Sequence, residues 1–174
     1  MKIGIDFDNT MVNTYQVSKH FLDVYKPNNH LKSYHDLPKD EELAFFMNYF
    51  IKITENLTLY DGVKEAFDFF EKHNIELILI TARGQDGLLI EPTNKFLKKH
   101  NLNFSKKVFD AKDKGQVCLD NNVDLLIDDN DKVLQNASEK HVKVLKYGEK
   151  SDLFPYVLNW KEVVDYIRKE ILCE

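Results

Sequence analysis

The chain has 174 residues and a mass of 20.5 kDa, with 24 basic and 29 acidic side chains for a formal charge of −5. Apolar residues make up 43% and charged residues 30%, which excludes a disordered chain and fits one domain, or one domain with a modest insertion. The absence of a long basic run argues against a dedicated nucleic-acid binder, and no stretch approaches the roughly 20 apolar residues of a membrane span. Lys2 and Asp6 at the start predict no signal peptide, and two isolated cysteines, Cys118 and Cys173, fit a reducing, cytoplasmic setting.

In chain order, the first apolar run is Ile3–Phe7, of strand length. From Asn13 to Tyr60 no strand-like run follows. That segment reads as helices over Val12–Tyr25 and Glu41–Ile53, joined by a polar loop around Pro27 and Pro38. It is too long for a simple strand-to-helix crossover. Val63, Ala66, Phe67 and Phe70 then repeat at helical spacing after the Asp61-Gly62 turn. Ile75–Ile80 and Val123–Ile127 are near-continuous apolar runs, as expected of strands covered on both faces. Lys107–Phe109 and Val142–Leu145 are shorter candidates. Helices are expected over Leu88–Leu97, with Pro92 in the first turn or at a kink, and over Val133–Ala137. A last helix carries Trp160, Val163, Val164, Ile167 and Ile171, with Asn159 as N-cap. Alternating strands and helices predict a doubly wound, Rossmann-like three-layer α/β/α fold with a central parallel sheet. The expected division is a core over 1–12 and 61–174 and a small helical cap over 13–60. Ligands in such sheets sit at the carboxyl ends of the strands, where an insertion after the first strand forms a lid.

The chemistry-bearing residues gather at those ends. The first strand runs into Asp6-Phe7-Asp8-Asn9-Thr10, two carboxylates that can divide nucleophilic and proton-transfer work. The alternative is a turn with an Asx hydrogen bond or a helix cap. Val123–Ile127 runs into Asp128-Asp129-Asn130-Asp131, which can hold a hard cation or simply charge the first turn of the next helix. Thr81-Ala82-Arg83-Gly84 follows another strand; Thr81 and the backbone amides after it can bind phosphoryl oxygens. Lys114 can place a cation on a phosphoryl group, with Lys112 competing for that role.

The order Asp-x-Asp-x-Thr, Thr, Lys, Asp-Asp resembles the haloacid dehalogenase-like phosphohydrolases in all four of their motifs, over essentially the whole chain. Asn9 departs from the Gly found in many members, and the Lys114-to-Asp128 spacing is somewhat long. The resemblance implies a metal-dependent phosphoaspartyl mechanism. Asp6 is then the nucleophile and Asp8 the acid and base. Mg²⁺ is held by the Asp6 side chain, the Asp8 backbone carbonyl and Asp128, with Asp129 in support. Thr81 and Lys114 hold the phosphoryl group. Within that superfamily the chain is most similar to small nucleotidases of the 5′(3′)-deoxyribonucleotidase type. The insertion after the first motif, Leu125–Asp131 and the late Leu158-Asn159-Trp160-Lys161-Glu162 carry this closer likeness. It implies a nucleoside monophosphate substrate and allows a homodimer. A base slot is expected among Phe45, Phe46, Tyr49 and Phe50, at a spacing that equally suits core packing. Arg83 and His35 are candidates to reach the substrate. A phosphatase for a sugar phosphate or other small phosphomonoester fits the same motifs. A signalling receiver domain is disfavoured by the first-strand Asp-x-Asp-x-Thr and by the insertion, and a silent binding protein by the intact motif set. The six histidines lack zinc-ligand spacing.

Overall fold

In the computed structural model, which describes residues 1–84 and 87–172, six strands form one parallel sheet in the order β3-β2-β1-β4-β5-β6. The strands are β1 (Lys2–Ile5), β2 (Glu76–Ile80), β3 (Lys106–Val108), β4 (Leu125–Asp128), β5 (Lys143–Tyr147) and β6 (Tyr156–Val157). The helices are α1 (Thr14–Tyr25), α2 (Lys39–Glu55), α3 (Val63–Lys72), α4 (Ile90–Lys99), α5 (Lys114–Asp120), α6 (Asp131–Glu139) and α7 (Trp160–Ile167), with a 3₁₀ turn at Tyr34–Asp36. Cys173 lies outside the described residues, and Cys118 is a buried free thiol on α5.

Strand alternation divides the core. Ile3, Ile5, Leu77, Leu79, Leu125, Ile127 and Leu145 face one way and pack with Val63, Phe67 and Phe70 of α3, Phe96 and Leu97 of α4, and Trp160, Val163 and Ile167 of α7. Ile78, Ile80, Leu126 and Val144 face the other way, onto Cys118 of α5 and Leu134 and Ala137 of α6. Burial on both faces explains why the central strands read as continuous apolar runs. Gly4 sits where these layers are tightest: a Cβ there would come within 2.8 Å of the Ile80 side chain.

The expected strands all form, within a residue or two of their predicted bounds. The sheet gains a sixth member, β6, a two-residue strand behind Pro155 that is too short to show periodicity. Pro92 falls in the first turn of α4, where its missing N–H costs nothing. Asn159 caps α7 as expected, its side chain accepting from the Glu162 amide at 3.0 Å. That helix stops at Ile167, and the chain continues through wider turns over Arg168–Leu172.

Between β1 and α3 lie α1, the 3₁₀ turn and α2. The ends of this segment are fastened together: Val12 bridges to both Asp8 and Leu59, and the Thr58 amide donates to the Asn13 side chain at 2.8 Å. Its own apolar centre is aromatic, with Phe45 stacked between Tyr34 at 5.3 Å and Tyr49 at 5.2 Å, and Tyr25 set edge-on against it. Among the described residues no helix is long and apolar enough to cross a membrane.

Candidate active site

The sheet reverses winding direction between β1 and β4: β2 and β3 lie on one side of β1, and β4, β5 and β6 on the other. The carboxyl ends of these two strands are where an open α/β sheet leaves a crevice. Asp6 follows β1 and Asp128 ends β4, and the Asp6 amide still donates to the Ile127 carbonyl at 3.0 Å. The two acids are therefore held in register by the sheet itself.

Lys114 is the first residue of α5, and Asp113 caps that helix by accepting from the Gln116 amide at 2.8 Å. Gly115 lets α5 lie against α6, since a Cβ there would meet Asn136 Oδ1 at 2.2 Å; its amide donates to that same oxygen at 3.0 Å. Seated this way, Lys114 Nζ lies 2.6 Å from Asp6 Oδ1 and 2.7 Å from Asp128 Oδ2. Lys112, the competing lysine, is exposed and sits 3.7 Å from Asp110. The other Asp128 oxygen accepts from the Asn130 amide at 2.9 Å. Asn130 in turn caps α6, and Asp131 pairs with the buried Lys146 at 2.6 Å. The acidic run is thus divided: Asp128 faces the crevice, while Asn130 and Asp131 start the helix.

Carboxylate oxygens of Asp6, Asp128 and Asp129 all lie within 4.8 Å of one another. Burial pushes the Asp6 carboxyl well above its ordinary range; Lys114 opposes that, and Asp128, Asp8 and Asp129 add to it. Burial and then Asp128 raise Asp129 to about 7, against the pull of Lys114. Burial would lower Lys114, but the charges of Asp6 and Asp128 outweigh it and hold the amine well above its usual value. Three carboxylates around one ammonium form a site short of positive charge. An all-oxygen donor set of this kind fits a hard divalent cation such as Mg²⁺.

Asp8 has a different setting. Its Oδ1 accepts from Thr14 at 2.5 Å and from Arg83 Nη2 at 2.7 Å, and its Oδ2 accepts from Arg83 Nε at 2.8 Å. Burial alone would raise this carboxyl; the charge and hydrogen bonds of Arg83, with Thr14, reverse the sign and hold it below its ordinary value. The turn between the two acids and α1 depends on Asn9, whose φ is 55°. Glycine and asparagine both tolerate that left-handed backbone, which accounts for Asn at this position. The Asn9 side chain also accepts from the Tyr15 amide at 2.7 Å. Trp160, fully buried, donates to the Thr10 carbonyl at 2.9 Å and anchors the same turn from α7.

A cavity of about 410 Å³ opens over these groups. Asp6, Asp8, Lys114, Asp128 and Asp129 contribute to it from the core, and Tyr15, Ser18, Ser33, Tyr34, His35 and Phe50 from the 13–60 segment. Thr81, just past β2, is fully buried and its hydroxyl accepts from the Arg83 amide at 3.2 Å; the neighbouring Ala82 lines the cavity. Three of the four residues named for a base slot are not among those that line it: Phe46 packs on Phe50, with ring centres 4.2 Å apart. Phe45 is fully buried in the aromatic centre of its own segment, and Tyr49 packs against it, Phe21 and Tyr25. The helical spacing that nominated them is that of a core face. Arg83, 3% exposed, spends its donors on Asp8, Thr54 and Thr93 and does not line the cavity. The residues that do line it from this segment, apart from His35 and Phe50, carried no local sequence signal.

No family model and no curated protein matches the sequence. Solved structures match over nearly the full chain. A putative phosphatase from Clostridium difficile is 14% identical with a TM-score of 0.74, covering 95% of this chain and 97% of that one. A haloacid dehalogenase-like hydrolase from Streptococcus pneumoniae is 16% identical with a TM-score of 0.72, covering 95% and 97%. A putative β-phosphoglucomutase from Thermotoga maritima is 16% identical with a TM-score of 0.64, covering 98% and 99%. The chain therefore has the fold of haloacid dehalogenase-like hydrolases.

Proposed function

We propose that the protein is a Mg²⁺-dependent phosphomonoesterase that works through a phosphoaspartate, with the 13–60 segment as its cap. The observation that carries this reading is the sorting of two acids from one strand end into opposite settings. Asp6 lies among Lys114, Asp128 and Asp129, and Asp8 lies against Arg83 and Thr14.

In the proposed sequence an Asp6 oxygen forms a bond to phosphorus while the ester P–O bond breaks, and the leaving oxygen takes a proton from Asp8. A water then attacks phosphorus, Asp8 takes its proton, and the Asp6–phosphorus bond breaks to release phosphate and restore both carboxyls. Asp8 as held by Arg83 is ionised, the form the second half requires. An anionic phosphoryl group arriving beside it raises its proton affinity for the first half. Lys114 offsets charge on the phosphoryl oxygens, and Thr81 with the amides after it supplies neutral donors. Mg²⁺, held by Asp6, Asp128 and the Asp8 carbonyl with Asp129 in support, would offset the repulsion between a carboxylate nucleophile and an anionic ester.

The proposed substrate class is a nucleoside monophosphate. Tyr15, Tyr34 and Phe50 offer flat faces for a base, and Ser18 and Ser33 offer hydroxyls for a sugar. The modest size of the cavity favours a second reading, a sugar phosphate or similarly small ester. The thiol-poor composition supports a cytoplasmic setting. Phosphate release from deoxy- and ribonucleoside monophosphates and sugar phosphates, with Mg²⁺ and with EDTA, tests all of this. Mg²⁺-dependent release from nucleotides is expected. Release mainly from sugar phosphates would leave the catalytic residues in place and discard the nucleotide. Release unaffected by EDTA would overturn the metal requirement.

A further inference from the structure

We propose that Arg83 is a positioning residue that aims the Asp8 carboxylate at the leaving oxygen and ties that aim to the seating of α2. The inference rests on the phosphomonoesterase reading, in which Asp8 is the acid and base.

The guanidinium is almost wholly buried, at 3% exposure, and its partners lie on two sides. Toward the reacting end, Nε and Nη2 meet the two Asp8 oxygens at 2.8 and 2.7 Å, a bidentate pairing that fixes the plane of the carboxylate. Away from it, Nη1 donates to Thr54 on α2 at 3.0 Å and to Thr93 on α4 at 3.3 Å. Phe7 and Phe50 flank the group, with ring centres 4.5 and 5.8 Å from its central carbon. The Thr54 hydroxyl donates in turn to the Phe50 carbonyl at 2.9 Å, so the last turns of α2 are wired to the guanidinium. Phe50 also lines the cavity. A displacement of α2 by a ligand therefore reaches Asp8 through one rigid planar group.

This arrangement excludes a substrate contact, because Arg83 would have to leave Asp8 to make one. It also goes beyond holding the fold together. A buried carboxylate needs only a counter-charge, and a lysine reaching Asp8 would supply it. Two parallel N–H donors facing two carboxylate oxygens, with the third nitrogen spent on a second element, specify a direction that lysine's ammonium cannot.

The effect of misdirecting Asp8 depends on how much the leaving oxygen needs its proton. An alkoxide needs it as the P–O bond breaks, whereas p-nitrophenolate leaves without it. The test compares kcat/KM of wild type, Arg83→Lys and Thr54→Val on p-nitrophenyl phosphate and on an alkyl phosphomonoester, with saturating Mg²⁺. Positioned acid catalysis contributes on the order of 10²–10⁴-fold, so Arg83→Lys should lose about 10²-fold on the alkyl ester and less than about 10-fold on p-nitrophenyl phosphate. The loss should fall on kcat, with KM within about 3-fold. Thr54→Val keeps the Arg83–Asp8 pair and should show the same leaving-group bias at about 3–10-fold. Equal losses on both esters, or a rise in KM alone, would overturn the proposal. If Arg83→Lys fails to fold, the bias in Thr54→Val decides, and its absence overturns the link to α2. Wild-type protein inactive on both esters would instead remove the phosphomonoesterase reading beneath it.

Discussion

Asp6 and Asp8 leave the same strand end two residues apart, yet they live in two different regions of the cleft. On one side Asp6 is crowded by Asp128 and Asp129 with a single buried lysine for compensation, and its carboxyl is pushed up. On the other, Asp8 receives a forked cation and a hydroxyl, and its carboxyl is held down. Identical side chains thus differ through partners delivered from far along the chain: Lys114 lies 108 residues from Asp6, and Arg83 lies 75 from Asp8. Both acids lie past the last residue of β1, Ile5, so the alternation of the strand no longer holds residues two apart on one face. Asp6 shares one lysine with Asp128, whereas both oxygens of Asp8 face a single guanidinium.

Replacing the first of the pair breaks the comparison most severely. Asp6→Asn removes the proposed nucleophile while keeping its shape, and turnover should fall on the order of 10⁴-fold or more. The fold should survive, because the change also relieves repulsion with Asp128 and Asp129. Far-UV circular dichroism and a Tm at or above wild type without metal would establish that. Turnover within tenfold of wild type would remove Asp6 from its role.

Lys114→Met is the next largest. Losing one cation aimed at developing charge costs about 10²–10³-fold in kcat. The same change leaves Asp6 and Asp128 buried without their counter-charge, and breaking a buried pair in this way costs about 3–5 kcal/mol. Both effects have to appear together: activity lost without destabilisation of the metal-free protein would mean that Lys114 is not the buried partner of the acids. Lys112→Met, by contrast, changes an exposed residue and should leave kcat within about twofold.

The core side of the cleft was readable in the sequence because each motif sits at the end of an apolar run, and the run gives both the strand and its direction. That placed Asp6, Asp8 and Asp128 at strand ends, while the roles proposed for them came from the resemblance of the four motifs together. Both Lys112 and Lys114 line the cavity, and that Lys114 is the one paired with Asp6 and Asp128 was not legible, since its seating depends on Gly115 letting α5 press onto α6. The side formed by residues 13–60 was poorly readable for a related reason. Its aromatic residues follow helical spacing whether they face a ligand or each other, and Phe45 and Tyr49 turn out to face each other. Tyr15, Ser18 and Ser33 line the cavity from a helix face and a turn, where no run of apolar residues marks a direction. Arg83 was visible as a charge after a strand, but the orientation of its guanidinium depends on Thr54 and Thr93, from two other helices.

The smallest effect sharpens the comparison without altering a residue. Asp129 is held at about 7, far above the ordinary carboxylate value of 3.8, and Asp6 is raised in the same sense. Where a folded-state value is raised, the folded protein binds more protons than the unfolded chain. Asp129 therefore makes the metal-free protein less stable as pH climbs from about 4 through about 7, and Asp6 acts in the same direction. Asp8 acts with the opposite sign: its folded value is lowered, so its contribution is present above the ordinary carboxylate value and is lost as pH falls through the folded one. A cation entering the Asp6–Asp128–Asp129 cluster displaces protons from the raised carboxyls and not from Asp8, so its stabilisation must grow with pH. With Mg²⁺ at about 100 times its Kd at pH 8, linkage gives about 2.7 kcal/mol, or about 5–10 °C in Tm for a chain of this size. The increment at pH 5.5 and the same total Mg²⁺ should be clearly smaller, because protons compete for the cluster there. Thermal scans with Mg²⁺ and with EDTA at the two pH values read this directly. An increment equal at both would mean that the cation does not enter among the raised carboxyls.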